Sequence, residues 1–380
     1  MRNFRYVAAR SAPYAASPRP SNLVGFQARG RGEAGYRPAS WRDSGAGYAG
    51  GRFAMDINVI WVPEALRAIA ASLDALRALG LPADSLARGA PGAAGRATAA
   101  LLDPGSLARA RARWAGAARH FEVRIGPAER RQRLARWLAW LPDSERVHWR
   151  AVADSVRPPG DTLRFLALAL DRAGRPIPVV NTDPATWLAL ADLEPARALD
   201  LVRPILLPYP VGLFVPGLGP LVANDAYATP AVWEAFRRDH YHSPRVVWGR
   251  EVNLLLLGLA RQVRAAADGD TLVPALRAAL EQTRAAVEAA GLEHAELWTY
   301  ELRGNGPRPV RYGSSTDVQL WNLTDLAVEF TLARLGPGNV RRAPRRRPLV
   351  RCGRRSRRRT SGADRRGSGA RDHPATAWAR

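Results

Sequence analysis

Apolar residues recur at helical spacing along most of this chain, and that periodicity most constrains its fold. One such stretch follows Pro63 and ends at Gly80. Apolar residues three and four positions apart lie on one face of an α-helix. In this stretch they are Leu66, Ile69, Leu73, Leu76 and Leu79. Since β-branched residues are sparse, the composition also disfavours an all-β sandwich.

The same pattern returns through residues 38–335, where Gly and Pro residues separate the helical stretches. Asp183, Thr229 and Asp317 precede three of them as N-cap residues. Amphipathic helices joined by short turns pack as antiparallel pairs. We therefore predict an all-α fold, and we find no fixed-period solenoid repeat. The further predicted helices cover about 106–120, 134–141, 144–156, 162–172, 184–203, 230–238, 246–267, 271–290 and 317–335.

Charge distinguishes this helical region from the two ends of the chain. The net charge is +23, and all 57 basic residues are Arg. Residues 336–380 contain 15 Arg and 2 Asp, and residues 1–40 contain 7 Arg and 1 Glu. We predict a disordered or irregular arm over 1–37, a helical domain over 38–335 and an Arg-rich disordered tail over 336–380. The tail has two interpretations: an arm that binds RNA or another anionic surface, or a translated frameshift without a selected fold.

Several classes of protein and site are excluded. Cys352 is the single cysteine, so an intrachain disulfide and a Cys-based metal site are excluded. His242 has no second His or Cys at ligand spacing, and we predict no metal site. Neither a phosphate-binding P-loop nor a G-x-S-x-G nucleophile elbow occurs, and no cofactor is predicted. Residues 204–222 contain five prolines and three glycines, so they do not form a membrane span, and we expect a cytoplasmic protein.

Residues with functional chemistry concentrate in four loop clusters that combine Trp or Tyr with carboxylates or amides. The C–H face of a pyranose packs on an aromatic ring, and its hydroxyl groups need polar partners at the rim. The clusters therefore favour a carbohydrate ligand, although a core role is an equal alternative for Trp41, Trp248 and Trp298. The clusters are SWRDS with GAGYAGGR and DIN (40–58), NDAY (224–227), YHSP with WGREVN (241–253), and EHAELWTYE with RYG and QLWN (293–322).

Three of these segments, in their order along the chain, resemble segments of six-hairpin glycosidases. WRDS, the Gly-rich turn, GGRFAMDIN and the helix at Pro63 look like the acid-bearing segment of the amylo-α-1,6-glucosidase (glycogen-debranching) and mannosyl-oligosaccharide glucosidase relatives. YHSPRVVWGREVN resembles their substrate-binding tyrosine–tryptophan loop. ELWTYE followed by DVQLWNL is similar to their late segment. The resemblance spans residues 38–335.

The resemblance implies an (α/α)6 toroid of antiparallel helical hairpins that hydrolyses α-linked glucosides or related oligosaccharides with inversion. A protonated carboxyl group then donates to the leaving oxygen, and a carboxylate activates water on the opposite face. By resemblance, Asp43 is the general acid and Glu296 the general base, with Glu301 as the alternative base. The implied sugar subsite consists of Trp41, Arg42, Tyr241, His242, Trp248, Glu251, Trp298, Glu301, Gln319 and Trp321.

The chain departs from the family pattern before Asp43, where several helices normally precede the acid-bearing loop. We therefore expect an incomplete toroid that lacks its first hairpins. Two alternatives to a glycosidase stay open: a non-catalytic helical carbohydrate-binding or scaffold protein, and a nucleic-acid binder that acts through the Arg-rich tail. Three of the acidic residues also have purely structural alternatives. Asp43 would cap a turn, Glu251 would be a solvated helix residue, and Asp183 would be an N-cap.

Overall fold

The computed structural model describes residues 2–30, 34–81, 92–267, 269–304, 306–313 and 324–335. Helices account for 56% of these residues and strands for 14%, in six small antiparallel sheets. The protein is therefore of mixed α/β structure, and the predicted all-α toroid was wrong. None of the described helices combines the length and the apolar composition needed to cross a lipid bilayer.

Many of the helices begin at a proline, as the sequence suggested. Proline suits the first helical turn because its missing N–H has no intrahelical partner there. The α-helices of the described residues are α1 (Arg2–Ala16), α2 (Val62–Ala78), α3 (Gly92–Leu102), α4 (Pro104–Ala115), α5 (Pro127–Trp140), α6 (Asp143–Ser155), α7 (Pro184–Leu190), α8 (Pro195–Leu206), α9 (Pro230–Arg237), α10 (Gly249–Ala265), α11 (Val273–Ala290) and α12 (Thr324–Ala333). A six-residue π-helical segment, Asp56–Trp61, leads directly into α2.

The described strands are short and pair with one another in antiparallel fashion, and Phe214 of β9 forms an additional isolated parallel bridge with Pro208. Within the described residues they are β1 (Gln27–Ala28), β2 (Tyr36–Arg37), β3 (Phe53–Ala54), β4 (Glu122–Ile125), β5 (Leu163–Leu166), β6 (Ala169–Leu170), β7 (Pro176–Ile177), β8 (Val180–Asn181), β9 (Phe214–Val215), β10 (Gly219–Pro220), β11 (Ala223–Asn224), β12 (Val247–Trp248), β13 (Leu297–Arg303) and β14 (Gly306–Arg311). Two sheets have three strands, in the orders β3-β6-β7 and β12-β13-β14. The two-stranded sheets are β1-β2, β4-β5, β8-β11 and β9-β10.

The predicted helix over 162–172 consists instead of β5 and β6. Leu163 and Phe165 are buried, and Arg164 between them is exposed, which is the period-two alternation of a strand. β5 pairs along its length with β4, so the backbone groups that face the partner strand are hydrogen-bonded. A short apolar run does not distinguish a buried helix from a strand, and here the partner β4 decides.

The beginning of the chain also differs from the prediction of an irregular arm, because residues 2–16 form α1. The ring of Tyr14 packs on that of Trp114 in α4, with centroids 4.4 Å apart. The indole Nε1 of Trp114 donates a 3.1 Å hydrogen bond to the carbonyl oxygen of Ser11. These contacts with α4 stabilise a helix whose own apolar pattern is weak. The predicted tail over 336–380 lies outside the described residues.

The core comprises three clusters of buried apolar side chains. The largest surrounds α10, which packs closely on α7. A second lies between α1, α2 and α4. The third lies beneath the loops of the candidate site and includes Phe26, Tyr48, Val222, Phe236 and Leu297.

A close approach of α10 to α7 depends on Gly258. A Cβ atom at this position would lie 2.6 Å from Leu188 Cβ and 3.0 Å from the backbone nitrogen of Ala189. Gly258→Ala is therefore expected to lower the free energy of unfolding by about 1–3 kcal/mol, measured by urea denaturation. Gly116→Ala is the matched control, since its Cβ would meet only the Arg119 side chain at 3.8 Å. Equal stability of the two variants would contradict the prediction.

Candidate functional site

A buried ion pair anchors the loop that carries the first predicted cluster. Arg42 and Asp183 are both fully buried. Arg42 Nε and Nη2 lie 3.0 and 2.9 Å from Asp183 Oδ1, and Nη2 also donates to the carbonyl oxygen of Val222 at 3.0 Å. The loop before the π-helical segment is thus joined to the start of α7 and to the segment before β11. Asp183 occupies the N-cap position of α7, as predicted, but its side chain makes no cap hydrogen bond and pairs with Arg42 instead.

Glu251, in the first turn of α10, extends this network. Its Oε2 accepts a 3.0 Å hydrogen bond from Thr182 Oγ1, and its Oε1 lies 2.5 Å from Arg250 Nη1. The side chain is buried rather than solvated. Burial raises the pKa of Glu251 to about 7; the charge of Asp183 adds to this effect, and Arg250 and Arg42 oppose it.

Asp56, the first residue of the π-helical segment, is a third buried carboxylate. Its Oδ2 accepts hydrogen bonds from Ser40 Oγ and, at 3.1 Å, from the Tyr48 hydroxyl. Burial and the charge of Asp183 raise the pKa of Asp56 to about 6. Oδ1 of Asp56 and Oδ2 of Asp183 are buried without a hydrogen-bond partner among the described residues. Asp56, Asp183 and Glu251 therefore lie in one region, and Arg42 is the fully buried cation there. The excess of carboxylates disfavours ionisation of all three, which is why the pKa values of Asp56 and Glu251 are raised.

Asp239 organises the neighbouring loop. It accepts hydrogen bonds from the backbone N–H groups of Tyr241 and His242, both at 2.9 Å, from Ser44 Oγ at 2.5 Å and from His242 Nδ1 at 3.0 Å. Burial alone would raise the pKa of Asp239. The hydrogen bonds from His242 and Ser44, together with the charge of His242, have the larger combined effect and lower this pKa. Ser44 contacts the Nδ1 edge of the His242 ring, and Nε2 of His242 has no hydrogen-bond partner in the part of the chain that the structure describes. The trio of Ser44, Asp239 and His242 therefore serves to position the loop.

Three aromatic side chains, Trp41, Tyr241 and Trp248, form what we call the aromatic wall. Trp41 and Trp248 meet edge to face at 5.8 Å, and Tyr241 lies 6.4 Å from Trp248. The buried His242 ring stacks nearly parallel to Trp248 at 5.9 Å. Arg42 Cζ lies 4.2 Å from the Trp41 ring centroid, so the wall rests directly on the buried network. Tyr241 is 44% exposed, and both tryptophans are half-buried.

The structure thus brings six of the predicted site residues together. They share contacts with the aromatic wall or with the buried network, although they come from two predicted clusters, 40–58 and 241–253, that are far apart in the chain. Within the described ranges, no group of three or more His, Cys, Asp or Glu side chains could hold a metal ion. The six residues are Trp41, Arg42, Tyr241, His242, Trp248 and Glu251.

The two predicted catalytic carboxylates border this cluster in different ways. Asp43 is exposed and lies between the anchored residues Arg42 and Ser44. Glu296 is largely buried at 7% exposure. Its carbonyl oxygen accepts a 2.9 Å hydrogen bond from the N–H of Gly249, the residue after Trp248.

Other predicted site residues lie elsewhere. Trp298 is fully buried in the largest core cluster, and its Nε1 donates a 2.9 Å hydrogen bond to the carbonyl oxygen of Leu218. Glu301 is exposed on β13 and pairs with Arg303 at 2.9 Å. Gln319 and Trp321 lie outside the described residues.

Asp56, Asp183 and Asp239 were not among the predicted site residues. Asp56 begins the π-helical segment, whereas Asp183 and Asp239 lie between helices, and each of the three has one side-chain partner at least 16 residues away in the chain. The segment VVNTDP did offer a signal, because Asp183 follows a short apolar strand, where a charge is costly unless it is paired.

The ion pair supports a stability prediction. Arg42→Leu leaves Asp183 buried without its cation and is expected to lower the free energy of unfolding by about 3–5 kcal/mol. The double variant Arg42→Leu/Asp183→Leu removes both charges and is expected to recover part of that loss. Urea denaturation of the two single variants and the double variant forms a double-mutant cycle. Additive losses would show that the two side chains are not coupled.

The raised pKa of Glu251 supports a second prediction. Its native pKa of about 7 exceeds its ordinary value of 4.5, so the native state binds this proton more tightly than the unfolded state. Its contribution to stability is therefore present at acidic pH and is lost as the pH rises towards and through about 7. Relative to Glu251→Gln, the wild type should lose on the order of 1–3 kcal/mol across this range, as measured by denaturation at each pH. Glu301→Gln, an exposed control, should follow the wild type, whereas parallel curves for the wild type and Glu251→Gln would refute the prediction.

Comparisons with known proteins identify no family for the chain. No protein-family model matches it, and searches of curated proteins and of solved structures find no match. Functional assignment therefore depends on the contacts, burial and charges described above.

Proposed function

We propose that this protein hydrolyses a glycosidic bond in α-linked glucosides or related oligosaccharides, at the surface formed by the aromatic wall, Asp43 and Glu296. The observation that carries this proposal is the double anchoring of Asp43. Arg42 on one side is fixed to Asp183, and Ser44 on the other is fixed to Asp239.

The two anchors hold an exposed carboxyl group on a loop with little freedom. Ser44 Oγ also accepts a 2.7 Å hydrogen bond from the N–H of Gly47, which closes the turn after Asp43. A catalytic group on such a loop needs little ordering when substrate binds, and this lowers the entropic part of the barrier.

The aromatic wall supplies the surface on which a sugar ring would stack. Its three rings meet at steep angles, and each of the three side chains is at least partly exposed. The guanidinium of Arg250 lies 5.2 Å from the Trp41 ring centroid and is 22% exposed, within range to donate to sugar hydroxyl groups. Apolar ring faces beside a few polar groups are typical of carbohydrate sites.

Glu296 supports the role of base through its position beside the wall. In the β12–β13 ladder, Trp248 lies opposite Leu297, the residue after Glu296. The hydrogen bond from Gly249 to the Glu296 carbonyl continues this pairing. Strand pairing therefore fixes the backbone of Glu296 relative to the wall.

Inverting hydrolysis assigns one proton transfer to each carboxyl group. Protonated Asp43 would donate its proton to the glycosidic oxygen as the bond to the anomeric carbon breaks. Ionised Glu296 would take a proton from the water whose oxygen attacks that carbon from the opposite face. Such enzymes hold the two carboxyl groups about 6.5–9.5 Å apart, which leaves room for the water.

A non-catalytic carbohydrate-binding protein is the second candidate, and two observations favour it. Asp56, Asp183 and Glu251, the carboxylates that form the buried network, are at most 1% exposed and are beyond the reach of a substrate. The toroid that the glycosidase resemblance implied is not the observed fold. Both candidates require a sugar to bind the aromatic wall, but only the glycosidase hydrolyses the bound sugar.

The first experiment incubates the full chain with maltose, isomaltose, nigerose and trehalose and follows the product anomers by NMR. We expect the wild type to release the inverted anomer. Asp43→Asn and Glu296→Gln should each lower the rate of hydrolysis at least about 100-fold, because each removes one proton-transfer group. Trp248→Ala should weaken sugar binding in calorimetry, since it removes the central ring of the wall.

Matched controls separate catalysis from folding. Asp74→Asn on α2 and Glu281→Gln on α11 make the same changes at exposed positions outside the site and should retain turnover. Sugar binding without turnover in the folded wild-type chain would favour the binding protein. If the wild type neither binds nor hydrolyses any of these sugars, the proposal fails.

A further inference from the structure

A second cavity, of about 340 Å³, lies apart from the aromatic wall beside the β4–β5 sheet and α8. Four arginines line it, and we call it the arginine cavity. Two acidic residues, Glu122 and Asp200, also line it, so the charged side chains sum to +2. The four arginines are Arg124, Arg164, Arg197 and Arg203.

The sheet register places two of these cations against each other. Arg124 and Arg164 are direct partners across the antiparallel β4–β5 pair. Side chains of such partners project from the same face, and like charges directly opposite destabilise a sheet. Arg124 and Arg164 therefore share one face of the pair, and both arginines line the cavity, as do Val123 and Phe165 from the other face.

The acidic side chains leave two of the arginines without a counter-charge. Arg203 pairs with Asp200 at 2.6 Å, and Arg124 pairs loosely with Glu122 at 3.6 Å. Arg197 Cζ lies 5.3 Å from the centroid of the Trp187 ring, and Arg197 has no hydrogen-bond or ion-pair partner within the described ranges. Arg164 has no hydrogen-bond or ion-pair partner among the described residues, and it is exposed.

We propose that the arginine cavity binds an organic phosphate monoester, with Arg164 and Arg197 holding the phosphate group. A phosphate dianion matches the lining charge of +2, and the planar guanidinium group binds phosphate oxygens in bidentate fashion. Leu201, Pro204 and Leu207 supply an apolar wall of the cavity that suits the organic part of the ligand. A bound dianion would also relieve the repulsion between the cross-strand arginines.

The cavity is separate from the proposed sugar surface but borders the same backbone segment. Asn181 and Pro184 line it, and between them Thr182 and Asp183 bond to Glu251 and Arg42. Phosphate binding and sugar hydrolysis are therefore independent proposals, and either one stands if the other fails.

Isothermal titration of the full chain with phenyl phosphate at pH 8 tests the proposal, with phenol and inorganic phosphate as partial ligands. We expect saturable binding of phenyl phosphate with a dissociation constant on the order of 0.1–1 mM, and weaker binding of both fragments. Arg164→Gln should raise the dissociation constant at least about tenfold. Arg164→Lys keeps the charge but lacks the planar guanidinium group, so its dissociation constant should lie between those of the wild type and Arg164→Gln.

Arg131→Gln is the matched control. Arg131 is exposed on α5 outside the cavity, and its substitution removes the same charge as Arg164→Gln does. It should change the dissociation constant less than about twofold. Circular dichroism checks that every variant is folded. The proposal would be overturned if the wild type showed no saturable binding of phenyl phosphate. It would also be overturned if Arg131→Gln and Arg164→Gln weakened binding equally, because that result would indicate attraction to net charge alone.

Discussion

The buried ion pair of Arg42 and Asp183 is the interaction on which the candidate site depends. It joins three segments that are far apart in the chain: the loop before the π-helical segment, the start of α7 and the segment before β11. Two charges without solvent are stable only when each has its partner, so the pair strongly disfavours any other placement of this loop. Trp41 and Asp43, the neighbours of Arg42, are consequently held at the surface, where a ligand can reach them.

The surrounding carboxylates determine the electrostatic state of the site. Glu251 and Asp56 are buried beside Asp183, and both have a pKa raised towards neutrality. Asp239 behaves in the opposite way, because hydrogen bonds from His242 and Ser44 stabilise its charge. One loop is therefore held by a carboxylate whose ionised form is stabilised, and the other by a network in which Glu251 and Asp56 lose their protons at a higher pH than usual. This difference arises from partners, since all of these groups are largely removed from solvent.

Much of the helical structure could be predicted, because amphipathic spacing and Pro at helix starts are local signals. The helix predicted to end at Gly80 is α2, and that prediction was confirmed. The helix predicted over 162–172 was wrong, since the apolar residues of β5 pack in strand alternation once β4 pairs with it. Six small sheets of this kind changed the fold class from all-α to mixed α/β. Pairings such as β4 with β5 and β3 with β6 join residues that are distant in sequence, and local periodicity does not register them.

The sequence by itself determined which residues were chemically suited to a site: Trp, Tyr, Arg and carboxylates gathered in turns between helices. Only the tertiary structure decided which of these residues meet. Trp41 and Trp248 form the aromatic wall, whereas Trp298, from an equally suggestive segment, is packed in the core. The physical reason is that burial and pairing of charge are properties of contacts across the chain. An aspartate such as Asp183 looks like a helix cap until the arginine that neutralises it is brought beside it.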